Sequence, residues 1–203
     1  MKKAMTIIYP VKKGLYVNLT NRCPCACTFC LRQNDDGVYG SDTLWLEREP
    51  TVSEVVEKLN ETDISKFDEI VFCGYGEPTE RLGALLEIAE YIKKMWKMKI
   101  RVNTNGLSDL IWGKSTAELF INKVDTLSIS LNATNPEEYL RLTRSKFGLK
   151  SFDALLNFAK NAKECGINVV MTLVDVVTSK EEQETAKNIC ESLGVTLRIR
   201  PLE

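Results

Sequence analysis

Leu15-Tyr16-Val17-Asn18-Leu19-Thr20-Asn21-Arg22-Cys23-Pro24-Cys25-Ala26-Cys27-Thr28-Phe29-Cys30 joins a short apolar run to a cluster of cysteines. The run 15–20 is the kind of segment that forms a strand buried on both faces. Four cysteines follow it within eight residues. They therefore stand at the carboxyl end of a strand, where barrel folds build their sites.

The pattern that begins there continues along the chain. Short runs rich in Val, Ile and Leu at 70–73, 100–103, 126–131, 168–174 and 196–200 read as further parallel strands. Amphipathic segments with marked ends lie between them. Thr51 and Glu54 form a capping box ahead of Val52, Val55, Val56 and Leu59. Leu82, Leu85, Leu86, Ala89 and Ile92 make a second apolar stripe, and 116–121 makes a weaker helix. Asn135-Pro136-Glu137-Glu138 supplies an N-cap, a first-turn proline and two acids at the positive end of the helix dipole. Ser151 opens a helix with Phe152, Leu155, Leu156 and Ala159 inward, and Gly166 suits its stop. Ser179 and Glu182 repeat the capping box before Ala186, Ile189, Cys190 and Leu193, and Gly194 ends that helix.

Six strands alternating with helices make right-handed crossovers in an open wound sheet or a barrel. A complete eight-stranded barrel typically takes ~250 residues, and this chain has 203. The expected fold is α/β: an incomplete (β/α)6 TIM-like barrel of six parallel strands in a single domain, 1–203. Residues 1–13 read as an N-terminal extension. Residues 31–50 form a long polar loop of a length that is usually functional, with 35–49 as its candidate lid.

Hydrophobic residues make up 44% of the chain and charged residues 27%, which excludes disordered and fibrous classes. Twenty-seven Lys and Arg against 28 Asp and Glu leave a formal net charge of −1, so no bulk positive field indicates nucleic acid or an anionic membrane. The first residues lack the apolar region of a secretory signal, and no apolar run approaches the ~20 residues of a membrane span. A cytoplasmic setting is expected, where clustered thiols bind metal more often than they pair. The absence of histidine removes Ser-His-Asp and Cys-His catalysis and His-ligated zinc together.

A metal would therefore sit on sulfur or oxygen. Cys23, Cys27 and Cys30 form a C-x3-C-x2-C triplet, and three thiolates in one loop hold three irons of a [4Fe–4S] cube while leaving the fourth open. An open coordination position is how a metal centre admits a substrate. Zinc is the alternative, but structural zinc takes paired ligands from separate segments, and no second C-x2-C exists to complete such a site. Cys25 allows a rival C-x-C-x2-C triplet, and we expect it to be a bystander. Cys165 and Cys190 read as small core residues. Cys73 ends a strand, so burial or an accessory role are both open to it.

The ends of the later strands carry polar groups. Gly74-Tyr75-Gly76-Glu77-Pro78 follows the second strand, its glycines permitting close backbone approach and its glutamate offering a carboxylate. Asn103-Thr104-Asn105-Gly106 follows the third, the fourth carries Ser128, Ser130 and Asn132, and the fifth ends near Asp175.

With the aromatic Phe29 before the last cysteine of the triplet, these motifs resemble those of the radical S-adenosylmethionine (radical SAM) superfamily, and the six-unit pattern resembles its core. Leu44-Trp45-Leu46-Glu47-Arg48-Glu49-Pro50, Phe72–Pro78, Asn103–Gly106 and Leu131-Asn132-Ala133 are similar to the TatD-associated radical SAM proteins. The resemblance implies two cofactors, a [4Fe–4S] cluster on Cys23, Cys27 and Cys30 and S-adenosylmethionine chelated to its open iron. It implies that Phe29 meets the adenine, that Gly76 and Glu77 receive the methionine amino group, and that Gly74 and Tyr75 bind the cofactor beside them. Asn103 and Asn105 would stand near the ribose, Ser130 and Asn132 would line the same mouth, and Arg144 would meet the methionine carboxylate. Cys25 departs from the family's motif, and Leu107 and Trp112 stand in a loop where relatives have histidine.

The implied activity is reductive cleavage of S-adenosylmethionine to methionine and a 5′-deoxyadenosyl radical that abstracts hydrogen from a substrate. An activase for a glycyl-radical enzyme belongs to the same class, and a non-catalytic iron–sulfur electron-transfer protein is the rival reading. The implied partners are an electron donor of flavodoxin or ferredoxin type and a TatD-like hydrolase in a shared pathway.

Overall fold

A computed structural model describes residues 3–33, 40–175 and 179–201. Two compact units divide the chain: the first comprises 1–23, 31–103 and 122–125, the second 24–30, 104–121 and 126–203.

The first unit contains strands β1 (Ile8–Val11), β2 (Gly14–Val17), β3 (Glu69–Phe72) and β4 (Lys99–Thr104), with helices α1 (Val52–Asn60) and α2 (Leu82–Trp96). The strands follow in chain order. β2, β3 and β4 run parallel, aligning Leu15 with Ile70 and Ile70 with Ile100. Alternation puts Leu15, Val17, Ile70, Phe72, Ile100 and Val102 on one face, all at most 2% exposed. Val55 and Leu59 of α1 and Leu85, Ile88, Ala89 and Ile92 of α2 are buried at 0%. Each such aliphatic side chain contributes roughly 1.5–3 kcal/mol of transfer free energy. The start of α1 is held by the expected capping box, Thr51 accepting from the Glu54 backbone N–H and Glu54 from that of Thr51.

Two expectations are corrected in this unit. Within the expected extension 1–13, β1 pairs antiparallel with β2, placing Tyr9 opposite Tyr16. The described residues therefore contain seven strands, and the six after β1 fall where the sequence placed strands. The turn between β1 and β2 is Lys12-Lys13, with Lys12 at φ 52°, and carries none of the Asn-Gly or Asp-Gly chemistry that marks a hairpin. The second correction concerns the long loop. Its residues 34–39 lie outside the described set, but Leu44 and Leu46 are 2% and 0% exposed. Leu44 joins Tyr9, Val11 and Tyr75 in a small apolar cluster with Tyr16 and Trp45 packed against it. Asn21 clamps Leu46 from both sides, donating to its carbonyl at 2.7 Å and accepting from its N–H at 3.0 Å. The 43–46 part of the candidate lid is thus core rather than cover.

The second unit contains α3 (Ser108–Trp112), β5 (Thr126–Ser130), α4 (Pro136–Thr143), α5 (Lys150–Glu164), β6 (Asn168–Val174), α6 (Lys180–Ser192) and β7 (Thr196–Arg200). β5, β6 and β7 are parallel, aligning Ile129 with Met171 and Met171 with Leu197. Leu127, Ile129, Met171, Leu173, Leu155, Phe158 and Ala159 are fully buried, and the rings of Phe120 and Phe158 meet edge-on at 6.0 Å. Asn135 caps α4 by accepting from the Glu138 N–H, and Ser179 and Glu182 cap α6 reciprocally, both as expected.

The helical faces differ in part from the expected ones. Val52, Val56, Leu86, Leu156, Ile189 and Leu193 are only half-buried. Ile88 and Phe158 are fully buried in α2 and α5, where tertiary packing rather than the i, i+4 count chose the side chain. α5 begins at Lys150, and Ser151 lies inside it, donating to Ser145 Oγ at 2.8 Å. The weak helix at 116–121 is a 3-10 turn, Ala117–Phe120. No helix among the described residues is long and apolar enough to cross a membrane.

Candidate functional site: the strand-end turns and the cysteine loop

In the first unit the chain leaves β2 through Asn18, Leu19, Thr20 and Arg22 to reach Cys23. Thr20 Oγ1 donates to Glu49 Oε1 at 2.5 Å, and the Arg22 guanidinium reaches both Glu49 oxygens, at 2.7 and 3.3 Å. Burial pushes the Glu49 carboxyl up, but the bonds from Arg22 and Thr20 and the charge of Arg81 outweigh it and hold the group below its ordinary value. The approach to the first cysteine is thus tied to the end of the long loop.

The turn after β3 packs directly on that approach. The Glu77 N–H donates to the Arg22 carbonyl at 2.8 Å. A Cβ on Gly76 would lie 2.2 Å from the Thr20 carbonyl oxygen and 2.7 Å from that of Arg22. Gly76 is therefore required by backbone touching backbone, and the turn is set against the residues preceding Cys23. Gly74 abuts the Asn18 side chain, a Cβ there falling 2.1 Å from Asn18 Oδ1. Glu77 is 4% exposed, and its Oε1 accepts from the Thr79 N–H at 3.1 Å and the Thr79 hydroxyl at 2.8 Å, capping a 3-10 turn over Pro78–Arg81. Tyr75 is 6% exposed within the apolar cluster, its ring edge-on to Trp45 at 5.3 Å. Any role for Tyr75 at a site is consequently through its backbone.

Asn18 is fully buried and went unnoticed in the sequence. Its Nδ2 donates to the Leu44 and Thr6 carbonyls at 2.8 and 3.3 Å, which leaves Oδ1 buried with no acceptor bond. A single amide inside the apolar run 15–19 is the signal that could have found it. Asn103 lies on β4, where its Oδ1 accepts from Arg101 Nη1 at 2.6 Å; Arg101 also grips Glu69, at 2.6 and 3.1 Å.

The second unit holds the rest of the cysteine loop. Cys25 is buried, whereas Cys27 and Cys30 are partly exposed, as Cys23 is at its end of the loop. The loop is fastened by backbone bonds: Ala26 N–H donates to Thr143, Thr28 N–H to Leu142, and Lys146 N–H to Pro24, each at 2.9 Å. Asn105 contributes a weak contact, Nδ2 to Cys25 Sγ at 3.9 Å, and its Oδ1 accepts from the Leu107 N–H. Phe29 and Ser130 are half-buried, and Asn132 is 4% exposed in the left-handed region at φ 62°. Arg144 is exposed and ends α4 at φ 48°. Asp175 is exposed beyond β6, Leu107 is buried, and Trp112 is 44% exposed at the end of α3.

A mononuclear ion gathers its ligands into one tetrahedron, and among the described residues no three Cys, Asp or Glu side chains are gathered that way. A cube differs, since each thiolate takes its own iron. The donor set here is all sulfur, presented on a loop directly after a strand, with no imidazole in the chain. That chemistry fits an iron–sulfur cluster.

The Radical SAM superfamily model matches residues 17–191, a span containing the cysteine loop and every turn just described. The chain belongs to the radical SAM superfamily. A [4Fe–4S] cluster and S-adenosylmethionine are the cofactors of that family. GTP 3′,8-cyclase of Rhizobium etli (strain CIAT 652) is 26% identical over 162 residues, covering 79% of this chain and 42% of the relative. This radical SAM chain thus spans about two fifths of the length of the curated relatives it matches. Streptococcus suis SuiB bound to precursor peptide SuiA shares the fold at a TM-score of 0.72 and 18% identity, over 97% of this chain and 40% of that one. A radical SAM methyltransferase from Sphaerobacter thermophilus does so at 0.69 and 19%, over 96% and 58%.

Proposed function

We propose that this protein is a radical SAM enzyme that cleaves S-adenosylmethionine reductively and uses the resulting radical to take hydrogen from a substrate. The observation that carries it is the glycine turn: Gly76 is pressed onto the backbone that leads into Cys23, and Glu77 beside it is a buried carboxylate. An electron-carrier protein has no use for such a turn. When bound, the cluster and S-adenosylmethionine supply one electron and a carbon–sulfur bond whose breakage leaves methionine and a 5′-deoxyadenosyl radical.

The chain's own residues bind and orient. Cys23, Cys27 and Cys30 hold the cluster, a choice that the burial of Cys25 supports. Glu77 receives the methionine ammonium, for which a buried carboxylate is a matching charge-assisted acceptor. Gly74 and Gly76 let backbone approach the same group. Phe29, Asn105, Ser130, Asn132 and Arg144 serve the adenine, ribose and carboxylate, with Asn103 acting through the Arg101 network. Proton transfer relies on Glu, Asp, Lys, Tyr, Cys or water, since histidine is absent.

We further propose that 1–203 is one domain, since the family match runs across both units, and that its six parallel strands form an incomplete (β/α)6 barrel. The TatD-associated motifs support a place in that branch, with a TatD-like hydrolase in the same pathway and a flavodoxin or ferredoxin as donor. The thiol-rich loop suits a reducing cytoplasm.

The test is anaerobic reconstitution, reduction and assay of 5′-deoxyadenosine, with Cys23, Cys25, Cys27 and Cys30→Ala and Glu77→Gln run beside the wild type. Product is expected from the wild type and Cys25→Ala, and from none of the other cysteine variants. Glu77→Gln should keep its cluster, since an amide oxygen still caps Thr79, and lose at least about tenfold in S-adenosylmethionine affinity, or ~1.4 kcal/mol. A stable cluster with no cleavage in any condition makes the chain an electron carrier, and a colourless protein removes the reading.

A further inference from the structure

This inference rests on the reading above, that a radical is made here to take hydrogen from a substrate, and concerns what that substrate carries. Parallel strands joined by helices are ordinarily apolar on both faces, because both are covered. In the second unit, β5, β6 and β7 keep that rule on one face only. Leu127, Ile129, Met171 and Leu173 are fully buried there, and Leu197 and Ile199 continue their rows. Gly106 marks this face as the side of α5, since a Cβ on it would meet both the Ile129 methyl and Leu155. The opposite face mixes valines with Ser128, Ser130, Thr172, Arg198 and Arg200.

The strand register sets three of these groups in one row: Ser130 stands beside Thr172, and Thr172 beside Arg198. Adjacent strands lie about 4.8 Å apart, so the row is roughly 10 Å long. It runs toward the carboxyl ends of the strands, where parallel sheets receive ligands. The cysteine loop lies at the same end. Asn105, which contacts Cys25 Sγ, precedes the Gly106 that packs on Ile129, and Ile129 is the chain neighbour of Ser130.

Every group in the row has bonding capacity to spare. Thr172 is 6% exposed, and neither its hydroxyl nor that of the half-buried Ser130 makes a hydrogen bond among the described residues. Polar groups so far out of water are normally paired. Arg198 is exposed and Arg200 half-buried, and neither forms an ion pair among the described residues. The three strands contain no Asp or Glu, and the acids nearest in sequence are Asp175, exposed after β6, and Glu191 in α6. Hydroxyls and a guanidinium are donors together, and a guanidinium grips a carboxylate or phosphate through two parallel bonds.

We propose that Arg198 and Thr172 hold an oxyanion of the substrate, a carboxylate or a phosphate, beside the S-adenosylmethionine that Ser130 serves, with Arg200 adding positive charge at the end of β7.

The test uses the reconstituted protein loaded with S-adenosylmethionine and two probes of the same body, phenyl phosphate and benzoate, titrated in a calorimeter. The wild type should bind at least one of them at one site per chain, and the tighter probe names the oxyanion. Arg198→Gln should weaken that binding about tenfold or more, the loss of a charge-assisted pair. Arg198→Lys should recover part of it, keeping the charge without the fork. Thr172→Val should weaken binding about threefold, and Thr172→Ser less, since the hydroxyl stays. Lys187→Gln removes the same charge from an exposed position on α6 and should leave the affinity within about twofold. Binding of neither probe overturns the proposal, and so does an equal loss in Lys187→Gln, which would mean attraction by net charge alone. A matching loss of S-adenosylmethionine affinity in Arg198→Gln also overturns it, because the arginine would then serve the methionine carboxylate. A wild type that assembles no cluster, or never forms 5′-deoxyadenosine, overturns the underlying reading instead, and is seen before either probe is added.

Discussion

In the turn after β3, a Cβ on Gly76 would lie 2.2 Å from one carbonyl oxygen and 2.7 Å from another. In the turn after β4, a Cβ on Gly106 would lie 2.8 Å from a methyl of Ile129 and 3.1 Å from the Cβ of Leu155. The first glycine is not in the left-handed region and is needed because two stretches of backbone touch. The second sits at φ 76°, a conformation that favours glycine, and its near neighbours are core side chains rather than carbonyl oxygens. Both read alike in the sequence, as glycines after strands. Their surroundings separate a glycine required by the backbone that approaches the cysteine loop from a glycine required by its own conformation over a core.

The sharpest way to break this contrast is Gly76→Ala. A methyl there has no flexible neighbour to displace, so we expect a loss of about 3 kcal/mol or more, read from the urea midpoint, together with loss of cluster assembly. A folded variant with a full cluster would remove the distinction.

Gly106→Ala tests the other side. The left-handed conformation costs roughly 1–2 kcal/mol for a residue bearing a Cβ, and the Ile129 methyl must move slightly. Stability should fall by about that much while cluster content stays at the wild-type level.

The smallest expected effect is confined to the first turn of α1, away from either glycine. Hydrogen bonds from Arg48 first, then the Thr51 backbone, hold the Glu54 carboxyl down to about 2, from an ordinary 4.5. A group whose folded value is depressed contributes stability above its unfolded value and loses it as pH falls toward the folded one. The wild type should therefore exceed Glu54→Gln in thermal midpoint above pH 4.5, with the gap closing as pH approaches 2. A gap independent of pH would mean that charge at this cap is irrelevant.

Much of this protein was legible from local signals. Capping boxes at Thr51–Glu54 and Ser179–Glu182, and the proline-led start of α4, are decided within one turn of helix, so short sequence windows carry them. The parallel strands announce themselves because burial on both faces demands continuous apolar runs. The hairpin strand β1 escaped because its turn, Lys12-Lys13, owes its shape to pairing with β2 rather than to turn residues.

The candidate site divides along the same line. The cysteines and the glutamate after β3 were legible as candidate groups from residue chemistry, and the roles expected of them come from the resemblance of their motifs. That Cys25 is buried while the other three cysteines of the loop are partly exposed, that Tyr75 belongs to an apolar cluster, and that Leu44 and Leu46 of a polar-looking loop are core were decided by tertiary packing. Asn18 shows why: it is one polar residue in an apolar strand, and what it holds, the carbonyls of Thr6 and Leu44, is 12 and 26 residues away. The sequence determined which groups exist and how nearby backbone folds. Contacts between distant segments, where burial and carbonyl oxygens choose among similar residues, determined which of those groups face a ligand and which support the fold.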